Sequence, residues 1–168
     1  LSSDIELIKN YYSSVGFNSA VIQAKVKEFE DAIDLVIDIN AGQETIISSI
    51  NFTGDKKISD KRLRDIIASE EHKFWKIISR NTKFSERLVL LDERLLKNYY
   101  KSIGYYDVNV NSKSATINEN NDIDITFNID AGTRYIIKRI STNVDPVFDK
   151  KIFESLQKDY KKYIGSYY

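Results

Sequence analysis

The chain repeats itself. The segment DIELIKNYYSSVGF, residues 4–17, returns as DERLLKNYYKSIGY, residues 92–105, and DLVIDINAGQETIISSI, residues 34–50, returns as DITFNIDAGTRYIIKRI, residues 124–140. The offset grows from 88 to 90 positions between the two matches, as a two-residue insertion in the second hairpin produces. One structural unit has therefore been used at least twice. Self-similarity at a long fixed period marks arrayed modules, which present extended binding surface more than a single catalytic cleft.

Periodicity gives the elements of the unit. From Leu88 the apolar residues Leu88, Leu91, Leu95, Leu96, Tyr99, Tyr100 and Ile103 recur at steps of three and four, the stripe of an amphipathic helix over residues 85–103. Gly104 is placed to close that helix in a left-handed turn with Tyr105 folding back, as Gly16 and Phe17 do in the first copy. Alternation follows each glycine: Ala20, Ile22, Ala24 and Val26, then Val108 and Val110, each a strand with one wet face. A polar turn at residues 28–32 or 118–122 leads into Leu35, Ile37 and Ile39, or Ile123, Ile125, Phe127 and Ile129, which makes each pair a hairpin. Ala41-Gly42 and Ala131-Gly132 then turn the chain into another apolar strand, residues 46–52 or 135–140. A short helix comes next, capped by Ser59 or Asp60 with Leu63, Ile66 and Ile67 on one face, and in the second copy by Asp149 with Ile152, Phe153 and Leu156. The order is helix, strand, strand, strand, helix, connector, and then the same again.

Composition bounds the function. With 168 residues, 42% of them hydrophobic and 30% charged, the chain suffices for one or two small domains with their own cores. Twenty-five basic residues balance 25 acidic ones, so the long-range field that draws phosphate backbones is missing, which argues against a nucleic-acid partner. No apolar run is long enough to cross a bilayer as a helix, and no cysteine offers a disulfide or a thiolate metal site. Opening on Leu1 in a helical pattern, without any methionine, the chain reads as an excerpt of a longer protein.

Three strings carry a family resemblance: FTGDKKISDKRLRDII, FWKIISRNTKFSERLVLLDERLLKNYYKSIGYYDVNV and FNIDAGTRYIIKRI, which together span most of residues 52–140. They resemble the polypeptide-transport-associated (POTRA) domains of the BamA family, the outer-membrane protein assembly factors. The FTGD turn, the LxxDxxLLKNYYxxxGY helix and a strand ending in Ala-Gly, where the family usually has Glu-Gly, are the most specific pieces. The Trp-containing stretch and the ERLVLLDERLL spacing look most like the middle modules of the array in its alphaproteobacterial form. The resemblance implies an α+β fold of tandem β-α-α-β-β modules, each a three-stranded mixed sheet covered on one face by two helices. It cuts the chain into the rear half of one module (1–42), a complete module (43–131) and the front half of the next (132–168).

The function implied is a periplasmic arm at the outer membrane, neither an enzyme nor a cofactor protein. Its implied partners are unfolded outer-membrane β-barrel proteins, accessory lipoproteins of the assembly complex, neighbouring POTRA modules and a C-terminal membrane barrel in the same chain. An exposed sheet edge offers unpaired N–H and C=O groups to an extended chain, and pairing by main-chain bonds is largely blind to sequence. In the family the strand after the long helix lies at the edge. Here that is Asp107, Val108, Asn109, Val110, Asn111, Ser112 and Lys113, the candidate peptide-binding strand. Phe74 and Trp75 form a candidate docking patch for a partner, weighed against a buried anchor for a long loop.

Other residues point to structure. His72 lacks a second His or Cys and reads as surface decoration. Tyr11-Tyr12 and Tyr99-Tyr100 read as core, the Asn51-Phe52-Thr53 sequon as chance within a strand, and the run KKISDKRLR as a solvated helix face. Two other readings remain: the same modules in a barrel protein for autotransporter assembly or two-partner secretion, and a small α/β RNA-binding repeat. The last needs a basic groove or aromatics on the open sheet face. Each half-module would leave apolar surface uncovered, so an isolated fragment should fray or pair end to end.

Overall fold

The helix that follows Ser85 shows how local chemistry fixes the frame. In a computed structural model describing residues 1–73, 80–114 and 122–167, the Ser85 hydroxyl accepts from the Leu88 amide at 3.2 Å and starts α3 (Glu86–Ser102). The helix stops at Gly104, which adopts φ +98°, and the Tyr105 amide folds back onto the Tyr100 carbonyl at 3.0 Å. The first copy repeats this: α1 (Ser2–Ser14) ends at Gly16, φ +100°, with the Phe17 amide on the Tyr12 carbonyl at 2.9 Å.

Among the described residues five strands form two sheets. β1 (Val21–Glu28) and β2 (Ile33–Asn40) are an antiparallel hairpin on their own. β3 (Ile46–Asp55), β4 (Asn109–Ser114) and β5 (Asp122–Asp130) make a mixed sheet of order β3-β5-β4, with β5 parallel to β3 and antiparallel to β4. The short α2 (Asp60–Arg64), capped by Ser59, and α3 lie across one face of this sheet. Ile123, Ile125, Phe127 and Ile129 of β5 are buried there with Ile47, Ile50 and Phe52 of β3, Val110 of β4, Leu63, Leu96 and Tyr100. The expected α+β unit, a three-stranded mixed sheet under two helices, is therefore present.

Two expectations shift. The buried line of α3 is Val89, Asp92, Leu96 and Tyr100, while the apolar residues at 88, 91, 95, 99 and 103 are half-buried flanks. The predicted strand at residues 135–140 forms no ladder. Among the described residues its one bridge joins Ile136 to Tyr167, and the Ile137 amide and carbonyl bond Ser166 and Gly165. A strand exists only where a partner strand lies beside it, and β5 serves β3 in that role with no counterpart for residues 135–140 among the described residues. The chain then enters α4 (Glu154–Lys161) through a 3₁₀ turn, Lys150–Phe153, whose cap is Asp149.

Candidate peptide-binding edge

The order β3-β5-β4 leaves two free edges in the mixed sheet, and they differ in chemistry. Along β3 several outward groups are already engaged. The Phe84 amide donates to the carbonyl of Thr45, just before the strand, at 2.9 Å, and the His72 amide donates to Ile47 O at 2.8 Å. The Ile50 amide donates to Glu71 Oε1 at 3.1 Å, Arg64 Nη2 donates to Ile50 O at 2.7 Å, and Lys56 Nζ donates to Phe52 O at 2.9 Å. Lys56 and Arg64 belong to the run that the charge pattern assigns to a solvated helix face; here they cap a strand edge. His72 has an exposed side chain and contributes only its backbone.

Along β4 the picture reverses. The Ser112 amide donates to Glu93 Oε1 at 2.6 Å, so it faces away from β5. Because successive residues of a strand point their N–H and C=O groups to alternate sides, Val110 and Ser114 also face outward, while Asn109, Asn111 and Lys113 bond β5. Glu93 is the one side chain bonded to this edge among the described residues. The strand begins two residues later than the sequence pattern places it. Val108 is buried against the core, and exposed Asp107 accepts from the Tyr135 hydroxyl at 2.7 Å, which raises the Tyr135 phenol above its usual range. Asp107 and Val108 therefore lead into the edge, and Asn109, Val110, Asn111, Ser112 and Lys113 lie on it. Phe74 and Trp75 lie outside the described residues, as do Ile77, Ile78 and most of the turn at 118–122.

The sheet face away from the helices carries Ser49, Asn51, Thr53, Asn109, Asn111, Lys113, Asp124, Thr126 and Asn128. None of these is aromatic, and one is basic. A platform for stacked bases needs aromatics on such a face, so the RNA-binding reading loses its remaining support.

The same joint connects successive copies. The Thr45 amide bonds Gly16 O at 2.8 Å, and the Tyr135 amide bonds Gly104 O at 2.8 Å, so the helix-closing glycine of one unit receives the amide three residues past the Ala-Gly turn both times. A family model described as POTRA, surface antigen variable number repeat, matches residues 45–132. The chain belongs to the POTRA family. It is 30% identical over 139 residues to the outer membrane protein assembly factor BamA of Buchnera aphidicola, a match covering 81% of this chain and 22% of that one. It is 26% identical over 140 residues to BamA of Neorickettsia risticii, covering 83% of this chain and 19% of that protein. The POTRA chain thus spans about a fifth of the length of these relatives. The fold resembles the crystal structure of Haemophilus influenzae BamA POTRA3-5, with a TM-score of 0.58 at 20% identity over 99% of this chain and 63% of that one. Among the described residues no helix of the POTRA chain is long and apolar enough to cross a membrane.

Proposed function

We propose that this chain is a periplasmic POTRA segment of an outer-membrane assembly factor and that it receives unfolded outer-membrane β-barrel proteins by strand addition at β4. It acts as a scaffold and a receptor, not as an enzyme. The observation that carries this reading is the contrast between the two edges among the described residues: β3 receives four internal hydrogen bonds, with a fifth at Thr45 just before it, whereas β4 turns the backbone of Val110, Ser112 and Ser114 outward with one of them engaged. Edges that must stay closed are filled or blunted, and an open one is a template for an extended chain. Asn109, Asn111 and exposed Lys113 keep the strand soluble without closing it. Outer-membrane strands alternate apolar and polar residues, so they pair with such an edge without being trapped.

In this reading residues 1–42 are the rear half of a module, 43–131 a complete one and 132–168 the front half of a third. The joints at Gly16–Thr45 and Gly104–Tyr135 string them into an arm ahead of a membrane barrel, with accessory lipoproteins as further partners. The names of the relatives favour the assembly factor over the transporters of autotransporters or two-partner secretion. The test is a titration of the isotope-labelled chain with a peptide of about ten alternating apolar and polar residues, the span of an outer-membrane strand. Amide resonances of Val108, Val110, Ser112 and Lys113 should move together and saturably. If they stay still while the peptide reaches millimolar concentration, strand addition at β4 is wrong. Whether the span sits on an outer-membrane barrel is read separately, by blotting fractionated cells with antibody to it: a membrane band on a longer chain whose mobility shifts on heating is expected.

A further inference from the structure

We propose that Glu93 is a built-in stopper of the β4 edge, holding the Ser112 amide until an incoming strand displaces it. The proposal rests on strand addition at β4 and adds its regulation. Three observations carry it. The Ser112 amide lies at the middle of the outward-facing triplet Val110, Ser112 and Ser114, so no strand can pair across this edge in register without taking the position that the carboxylate now holds. The contact is short, 2.6 Å, and charge-assisted, which makes it stronger than the neutral amide–carbonyl bond that replaces it. The displaced carboxylate also keeps a partner: Lys97 Nζ already lies 3.9 Å from Glu93 Oε2, one helical turn along α3, so the charge stays paired when Oε1 leaves the amide.

The repeat supplies an internal contrast. At the position of Glu93 the first copy has Ile5, and at that of Ser112 it has Ala24. The aliphatic side chain of Ile5 cannot accept from an amide, so the stopper belongs to the β4 unit alone and is no requirement of the helix-hairpin architecture. Its effect is to make the edge selective. A segment that forms several ladder bonds at once displaces the carboxylate, whereas a short or irregular segment does not, and two copies of the chain are kept from pairing through β4.

The experiment measures affinity for the same alternating peptide in four forms of the full chain: unchanged, Glu93→Ala, Glu93→Gln and Ser112→Pro, with NMR to place the contact. Glu93→Ala should tighten binding about ten- to a hundredfold, the weight of one hydrogen bond to a charged group. Glu93→Gln, which keeps a neutral acceptor, should fall between. Ser112→Pro removes an amide that faces away from β5, so the sheet should survive, and binding should vanish. Binding by the Glu93→Ala form alone also supports the stopper. If the unchanged chain binds at β4 and Glu93→Ala leaves affinity equal or weaker, the stopper is wrong while strand addition stands. If no form binds, or the shifts are confined to residues 21–28 of β1, both ideas fall.

Discussion

Asp92 is the residue whose role is least evident from its type. It lies fully buried on the helix line that packs against the sheet, where a carboxylate is costly unless paired. Its Oδ1 accepts from the Ala68 amide at 2.6 Å, and both oxygens accept from the Ser69 amide at 3.3 Å, pinning the turn after α2 to α3. Burial raises its pKa from the ordinary 3.8, and the donors from Ala68 and Ser69 only partly oppose this. For an acid whose folded pKa lies above its unfolded value, stability is highest below the unfolded value. It falls as pH rises through the window between the two, and is level above it. Asp92→Asn, which keeps a neutral acceptor for the Ala68 amide, should remove that loss. The stability difference, mutant minus parent, should move in the mutant's favour as urea midpoints are measured from pH 4 to pH 7, and parallel curves would contradict it. Asp92→Ala should cost about 1 to 3 kcal/mol at pH 4, because the buried Ser69 amide loses its partner, and less as pH rises. The sequence repeats this aspartate, Asp4 answering Asp92, and the recurrence is the signal that finds it. Hydrophobic periodicity misses it because an aspartate interrupts the apolar count, so the predicted stripe shares Leu96 and Tyr100 with the buried line but leaves out Val89 and Asp92. The tyrosine pairs are likewise half legible. Tyr100 is buried and its hydroxyl donates to Lys56 O, while Tyr99 is a half-buried flank and Tyr11 is exposed.

Between elements, the closest approach is where β3 leaves the sheet. Phe52 stacks on Phe127 with ring centroids 5.8 Å apart, and two residues later Gly54 pairs with Ile129 at φ +87°. A Cβ at Gly54 would stand 2.3 Å from Ile129 O and 2.8 Å from Asn128 Oδ1. The first of these atoms is strand backbone and cannot yield without breaking the β3–β5 ladder. Left-handed backbone alone costs a non-glycine residue about 1 to 2 kcal/mol, so with the clash added Gly54→Ala should lose at least about 3 kcal/mol by chemical denaturation. A loss below about 1 kcal/mol would mean that the strand end shifts freely. The FTGD motif is legible as a turn, yet its sequence does not say that the glycine is required by β5, some 75 positions away in the chain. The same limit explains residues 135–140. Their pattern marks which side chains suit a buried face, but the ladder is decided by a partner strand that no local pattern reports. Local caps, by contrast, are largely legible: Gly104 and Asp149 stand where the sequence places them, Ser59 is one of the two candidates it offers, and Ser85, read as the first helical residue, is the cap itself.

The two copies, compared across the molecule, reveal what each lacks. Ile123, Ile125, Phe127 and Ile129 are at most 3% exposed, whereas their counterparts Ile33, Leu35, Ile37 and Ile39 are 37% to 67% exposed, although the pattern is the same. The difference is the strand and helix that β3 and α2 bring to the β4–β5 hairpin and that the β1–β2 hairpin does not have. Full burial of each such side chain contributes roughly 1.5 to 3 kcal/mol, so this face is a strong drive for association. The second copy of the missing parts is in the chain itself: residues 135–140 with exposed Ile136, and α4 with exposed Leu156. Carrying the β3–β5 register across by the repeat offset of 90 sets Ile137 opposite Ile33, Arg139 opposite Asp34 and Ile140 opposite Leu35. The Arg139–Asp34 pair takes the place of the Ser49–Asp124 hydrogen bond of 2.6 Å, so the charges match where the ladder would form. Both faces belong to every chain and differ from each other, so the contact is head to tail and does not close at two subunits. Sedimentation velocity should therefore show a weight-average mass that climbs with concentration beyond a dimer. Leu35→Lys should return the chain to a monomer, and Asp34→Arg should weaken assembly until Arg139→Asp restores it. A mass independent of concentration would mean that neither exposed face is complementary to the other, and the half-module division of the chain would lose its main physical consequence.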